Sequence, residues 1–293
     1  MSSRTITLGV LAAAVLAACA DANRSPTAPL RAAIASDPVS CSFTIAGTTK
    51  SLDRDCTTNT TIQIPDGFTL DGAGHMITAV DPAGGHFLGA VVRNGGAKAN
   101  VINLTVTASK LTIVCDGGDD RLRGILLQGA SGSITNNTVV NINQGASGCQ
   151  EGNGIEVRNA PFDGTHQSTQ VVVIAGNTVT NYQKTGIVAN GDVQVVIAGN
   201  TTTGAGPVSY IAQNGIQVGF GGLGEVTGNT ISGNFYTGCS NQAAAMTDCV
   251  PYTATGLLLY DVDASLVKTD NNALRDNQSN RRVVTEQSLD LDP

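Results

Sequence analysis

One spacing governs this chain. A Gly followed by Ile or Leu begins at Gly124 (GILLQ), Gly154 (GIEVR), Gly186 (GIVAN), Gly215 (GIQVG) and Gly256 (GLLLY). Each is answered further on by an Asn in a similar setting: Asn137, Asn177, Asn200, Asn229 and about Asn271. The steps from Gly to Asn are 13, 23, 14, 14 and 15 residues, so one unit runs roughly 29 residues with insertions such as NAPFDGTHQ and the Cys239–Cys249 segment. A recurring unit of this length is the signature of a stacked repeat, in which each turn of chain buries its apolar face against its neighbours.

The letters inside a unit decide what the turn is made of. Unit 186 holds three short alternating runs, GIVAN, VQVVIA and NTTTG, which read as strands, with Gly and Asn punctuating them as turns. The 35 Gly, 33 Thr and 23 Asn are poor helix formers, and no stretch between the runs is long and periodic enough for a crossover helix. The expectation is an all-β solenoid of about seven coils, each of three short parallel strands, stacked at ~4.8 Å. Ile155, Ile187, Ile216 and Leu257 then form one inward column, and Val157, Ala189, Val218 and Leu259 a second. Stacked Asn amides can bond to the coils above and below, so the Asn column is structural.

The pattern GIxV…VxIxGNTV resembles the right-handed parallel β-helix repeats of the pectate-lyase-like superfamily. TIQIPDGFTLDGAGHMITAV (61–80) resembles the opening coil of such domains, and FLGAVVRN with NVINLTVTAS (87–109) the second. The resemblance covers about residues 60–275. The chain is expected to divide into a signal (1–18), a tether (19–40), a β-helix with an N-terminal cap (41–275) and a polar C-terminal tail or cap (276–293). The resemblance implies a fold more than a chemistry, because this scaffold hosts many functions.

Enzymes of that superfamily that cut polysaccharides place catalytic groups outward on the first strand of the coil. One outward column reads Val91, Leu126, Glu156, Val188, Gln217, Leu258; the next reads Arg93, Gln128, Arg158, Asn190, Gly219, Tyr260. The second is a polar stripe, and Arg93 and Arg158, two coils apart, suit a sugar carboxylate. Arg93, Gln128, Arg158, Asn190 and Tyr260 are therefore the candidate substrate-binding residues, although a solvated strand face carries the same letters. Arg158, Glu156, Asp163 and His166 are the candidate acid–base groups. The segment CDGGDDRLRG offers Asp116, Asp119 and Asp120, whose carboxylates suit Ca²⁺. A Gly-Asp-rich turn beside a disulfide reads the same way, and no cofactor is expected. The polygalacturonase-like, pectate-lyase arginine and alginate-epimerase signatures are missing. With no Trp and five Tyr, an aromatic platform for sugars is sparse.

The N-terminus points outside the cytoplasm. Arg4 precedes an apolar run, Ile6 to Ala18, too short to span a bilayer. Its end, Leu16-Ala17-Ala18-Cys19, resembles the lipobox of bacterial lipoproteins, which implies lipidation of Cys19; an ordinary signal cut near Ala18 or Ala20 is the alternative. The remaining cysteines pair most simply as Cys41–Cys56 at the cap, Cys115–Cys149 in the turns of consecutive coils, and Cys239–Cys249 closing an insertion. A net charge of −7, with no block of five Lys and Arg, disfavours nucleic acid. The sequence thus describes an exported protein, anchored in the cell envelope or secreted, that presents a polar strand face to polysaccharide. A divergent polysaccharide lyase or hydrolase and a structural or adhesive surface protein are the alternatives.

Overall fold

The computed structural model describes residues 40–108, 110–160, 162, 170–238 and 253–285. Their chain visits three sheets in strict rotation. The first sheet collects Ile62–Ile64, Ala90–Asn94, Arg123–Gln128, Asn153–Asn159, Thr185–Gly191, Asn214–Gly219, Thr255–Tyr260 and Ser279–Val284, all parallel. The second sheet has nine strands and the third eight, parallel except where Phe43–Ala46 folds back on Thr49–Leu52 at the N-terminal end. This is a right-handed parallel β-helix. The first sheet holds eight strands against the seven or so coils expected. Its last strand, Ser279–Val284, comes from the stretch read as a polar tail or cap.

The core lies inside the coil. Ile125, Ile155, Ile187, Ile216 and Leu257 pair in register down the first sheet, as do Leu127, Val157, Ala189, Val218 and Leu259, all essentially inaccessible. The Gly before each Ile has a steric reason. A Cβ on Gly186 would sit 2.6 Å from the Gly215 carbonyl oxygen and 2.9 Å from the Tyr182 ring. On Gly154 it would sit 2.7 Å from the Gly186 carbonyl oxygen. Backbones of successive coils close on each other at this corner, and only glycine leaves room.

The Asn ladder is present and satisfied. The Nδ2 of Asn137 donates to Oδ1 of Asn177 (3.0 Å), that of Asn177 to Asn200 (2.9 Å) and that of Asn200 to Asn229 (3.0 Å). Each of these amides also donates to a backbone carbonyl, those of Val101, Ile134 and Ile174. The last rung corrects the sequence reading: Asn229 donates to Asn272 (2.9 Å), whereas Asn271 takes a left-handed backbone (φ 57°) in the adjoining turn. In an Asn-Asn pair, either residue fits the spacing until the turn is seen. Residues 40–108 hold a second correction. Val91 is not outward but part of the core, and Arg93 pairs with Leu126 instead of standing beside Gln128. This coil carries Val91 opposite Gly124, so the Gly-Ile phase mark is missing there.

Two disulfides form as expected, Cys41–Cys56 and Cys115–Cys149, with Cα separations of 4.9 and 5.0 Å. Bridges of this kind are most common in exported proteins. Cys19, with the residues read as a signal and nearly all of those read as a tether, and the Cys239–Cys249 pair lie outside the described residues. No helix among the described residues is long and apolar enough to cross a membrane.

Candidate functional site

The outer face of the first sheet forms the floor of a cleft, and its register fixes which side chains stand there. One outward column is Arg123, Asn153, Thr185's neighbour Asn214 and Thr255. The next is Arg93, Leu126, Glu156, Val188, Gln217, Leu258 and Arg282. The third is Gln128, Arg158, Asn190, Gly219, Tyr260 and Val284. Corner segments preceding the strands raise one wall, with Lys184, Tyr210 and Tyr236. Phe162, Phe220 and Tyr260 raise the other. Between them runs a cleft of about 1060 Å³ that starts at Arg121 and Arg123 and reaches Arg282 and Val284.

The floor is built around a buried ion pair. Arg123, 1% exposed, donates through Nε to Oε2 of Glu156 (2.7 Å), and Asn153 donates to the same oxygen (2.8 Å). Arg158 adds a second cation, its Nε 3.8 Å from Glu156 Oε1. Glu156 is therefore committed to holding two arginines on the floor. Burial pulls the Arg158 guanidinium below its ordinary value, and Glu156 pulls it back. Among the described residues its Nε makes no hydrogen bond, nor does that of Arg121.

Lys184 is the most perturbed cation of the cleft. Its Nζ donates to the Ala212 carbonyl (3.1 Å), and it makes no ion pair among the described residues. Desolvation brings its amine down to about 8. The side chain remains partly accessible from the cleft, so the ammonium is dehydrated yet reachable. Arg282 at the far end is likewise lowered by burial. Among the described residues, against Arg121, Arg123, Arg158, Lys184 and Arg282 the cleft sets Glu156 and Asp261, so in a chain of net charge −7 positive charge is concentrated here.

The aromatic wall was not foreseen. Phe162 and Phe220 stack with ring centroids 5.0 Å apart and planes 9° apart, and Tyr260 tilts against Phe220 at 5.1 Å. Arg158 lies over Phe162, 5.3 Å from its centroid, within cation–π range. The chain has few aromatics, but the turns collect them along this groove.

Of the residues expected at a site, Arg158, Asn190, Tyr260 and Glu156 line the cleft; Arg93 and Gln128 do not. Asn190 accepts a hydrogen bond from Gln217 (3.2 Å). Asp163 and His166 lie outside the described residues. The three acidic residues of CDGGDDRLRG diverge. Asp116 pairs with His86 (3.0 Å), Asp119 with Arg93 (3.1 Å), and Asp120 ends a 3₁₀ turn, Gly118–Asp120. Among the described residues no three metal-ligating side chains come together. Lys184, Phe162, Phe220 and Tyr210 went unread because they sit in turns of unequal length, and Arg282 because its strand, Ser279–Val284, falls in the stretch read as a tail or cap. The one available signal was Lys184, one of only five lysines, standing directly before a Gly-Ile strand.

A parallel β-helix with a cationic, aromatic-walled cleft along one sheet is thus the class of protein that fold and site define. Residues 123–289 match the family model described as right handed beta helix region. The chain belongs to that family. No curated protein and no solved structure matches it.

Proposed function

We propose that the cleft binds an extended anionic polysaccharide, a chain containing uronate residues, on an exported β-helix of the pectate-lyase-like kind. The observation that carries this reading is the juxtaposition of Arg158 and Lys184, cations without full partners, with the Phe162–Phe220–Tyr260 wall along one groove. Guanidinium groups suit carboxylates, and aromatic faces suit the apolar faces of sugar rings. Small-molecule sites occupy roughly 300–1,000 Å³. A groove of about 1060 Å³ crossing six strands therefore favours several linked residues over a single small ligand.

The test is calorimetric titration of the full chain with polygalacturonate, alginate and a neutral glucan. Binding to the uronates should weaken as salt rises. It should also fall in Phe220→Ala and in Arg158→Ala, with melting temperature nearly unchanged. Equal binding to the neutral glucan, or none to any uronate, rejects the reading.

A second reading, cleavage by elimination, rests on Lys184. An amine with its pKa near 8 is in substantial part neutral in mildly alkaline solution and can take the C5 proton of a uronate whose carboxylate an arginine holds. The C4–O4 bond then breaks, leaving a C4=C5 double bond on one fragment and a hydroxyl on the other once the departing oxygen is protonated. Unsaturated product absorbance that rises with pH through about 8, and is lost in Lys184→Ala, supports it. Binding without product leaves the protein a binding module.

Membrane attachment through Cys19 belongs to the same proposal. Cys19→Ser should move the protein to soluble fractions or block its processing; membrane association that survives the change counts against lipidation.

A further inference from the structure

We propose that the cleft accepts the end of an anionic glycan chain and excludes its interior, because the strap of residues 110–122 closes one end of it. The inference rests on the uronate reading above and adds a specificity to it.

The strap runs from the third-sheet strand Thr105–Ala108 to the first-sheet strand Arg123–Gln128. On its way it crosses the outer face of the first sheet. Leu126 points outward on that face, yet it is 0% exposed and stands outside the interior core. The Gly118–Asp120 turn is anchored on both sides of it. Asp119 reaches Arg93 on the strand before (3.1 Å) and Arg158 on the strand after (3.9 Å), bridging the Leu126 strand between them. Arg123 fastens the same turn from below, donating to the carbonyls of Gly118 (3.0 Å) and Arg121 (2.8 Å).

The strap is also fastened to the rest of the molecule. Cys115 is bonded to Cys149 of the next coil. The Glu151 carboxylate accepts from the backbone N–H of Asp116 (3.1 Å) and of Leu122 (2.6 Å), gripping both ends of the acidic stretch. His86 holds Asp116 from the preceding coil (3.0 Å). A segment tied at so many points is a wall.

The chemistry of the wall matters as much as its position. A polyuronate lying along the floor meets Arg158, Lys184 and Arg282. To continue past Arg123 it would have to displace the turn and bring its carboxylates against those of Asp119 and Asp120, which like-charge repulsion opposes. Arg93, on the far side of the turn, lines no part of the cleft. A chain terminus fits this geometry; an internal segment of a long polymer collides with it.

The experiment titrates the full chain with polygalacturonate fractions of graded length at equal mass. End binding makes the number of sites per gram fall in inverse proportion to chain length. Cys115→Ser combined with Cys149→Ser, which frees the strap, should make long chains bind in proportion to mass. If that variant does not fold, Asp119→Ala, a change at a half-exposed side chain, tests the same point and should raise capacity on long chains. Sites per gram independent of length in the wild type, or end dependence unchanged in a folded strap variant, overturns the inference and leaves the uronate reading standing. No binding by any fraction removes the uronate reading, and this inference with it.

Discussion

At the scale of the residue, the recurring Asn and the single cleft Lys are opposite cases of a buried polar group. Asn200 is 1% exposed and bonded on both sides, to Asn177 and to Asn229. Asn200→Leu takes away the Oδ1 that accepts from the backbone N–H of Asn177, along with one of the two bonds made by the Asn177 amide and by the Oδ1 of Asn229, and should destabilise by about 1–3 kcal/mol in chemical denaturation. Lys184 has only a carbonyl for company and pays in pKa. Its folded value, about 8, lies below the 10.5 of the free side chain, so between those values the unfolded chain binds more protons than the folded one. Stability should therefore rise with pH from about 8 towards 10. Buried Tyr182 acts in the other direction: its raised pKa keeps it protonated when folded, so stability falls once the unfolded phenol ionises, near 10. A stability maximum between about pH 9 and 10, shifted or abolished in Lys184→Met, is the expected result; an unchanged profile in that variant means the amine is well solvated.

At the scale of the element, the coil corner is the unit that specifies the fold, and its glycines are of two kinds. Gly186 needs space: an added Cβ meets the backbone of Gly215, which cannot move without opening the stack. Gly199 needs only its left-handed backbone (φ 63°) and has open space around it. Gly199→Ala should cost about 1–2 kcal/mol, the penalty of that conformation for an L-residue. Gly186→Ala adds overpacking, about 1–3 kcal/mol or more, and should be clearly the worse of the two in thermal melts. The same contrast explains what could be read from letters alone. The Gly186 and Asn200 columns were legible because every coil repeats the same steric and hydrogen-bonding demand. The register of Ala90–Asn94 was not, since Val91 occupies the corner that glycine marks elsewhere. The buried Gln partners were missed too: Gln183 donates to the Cys149 carbonyl (2.8 Å) and accepts from the Gln144 N–H (2.9 Å), but such a ladder has too few rungs to stand out. The site was legible only where it lies on strands, as with Arg158 and Asn190. Its walls, Lys184 and Phe220 among them, come from turns whose length changes from coil to coil, so no period betrays them.

At the scale of the whole molecule, a solenoid must deal with its two ends, where a coil lacks a neighbour. At the N-terminal end the Phe43–Ala46 strand turns antiparallel against Thr49–Leu52, and the Cys41–Cys56 bridge ties the cap to the third sheet. At the other end Ser279–Val284 is the last strand of the first sheet, paired on one side only among the described residues. Its register continues the inner apolar columns, with Arg281 on Leu257 and Val283 on Leu259. Val283 is 46% exposed, so the end of the column is reachable from outside. A charge where the column expects Leu or Ile is a known device against edge-to-edge pairing, because a second copy docking there would have to bury it. Arg281→Leu restores the apolar column and removes that obstacle. The variant should associate in a concentration-dependent manner, seen as an apparent mass by light scattering that grows with protein concentration while the wild type's does not. An Arg281→Leu protein whose mass stays that of the wild type across the range would mean that the end is already shielded by another part of the chain.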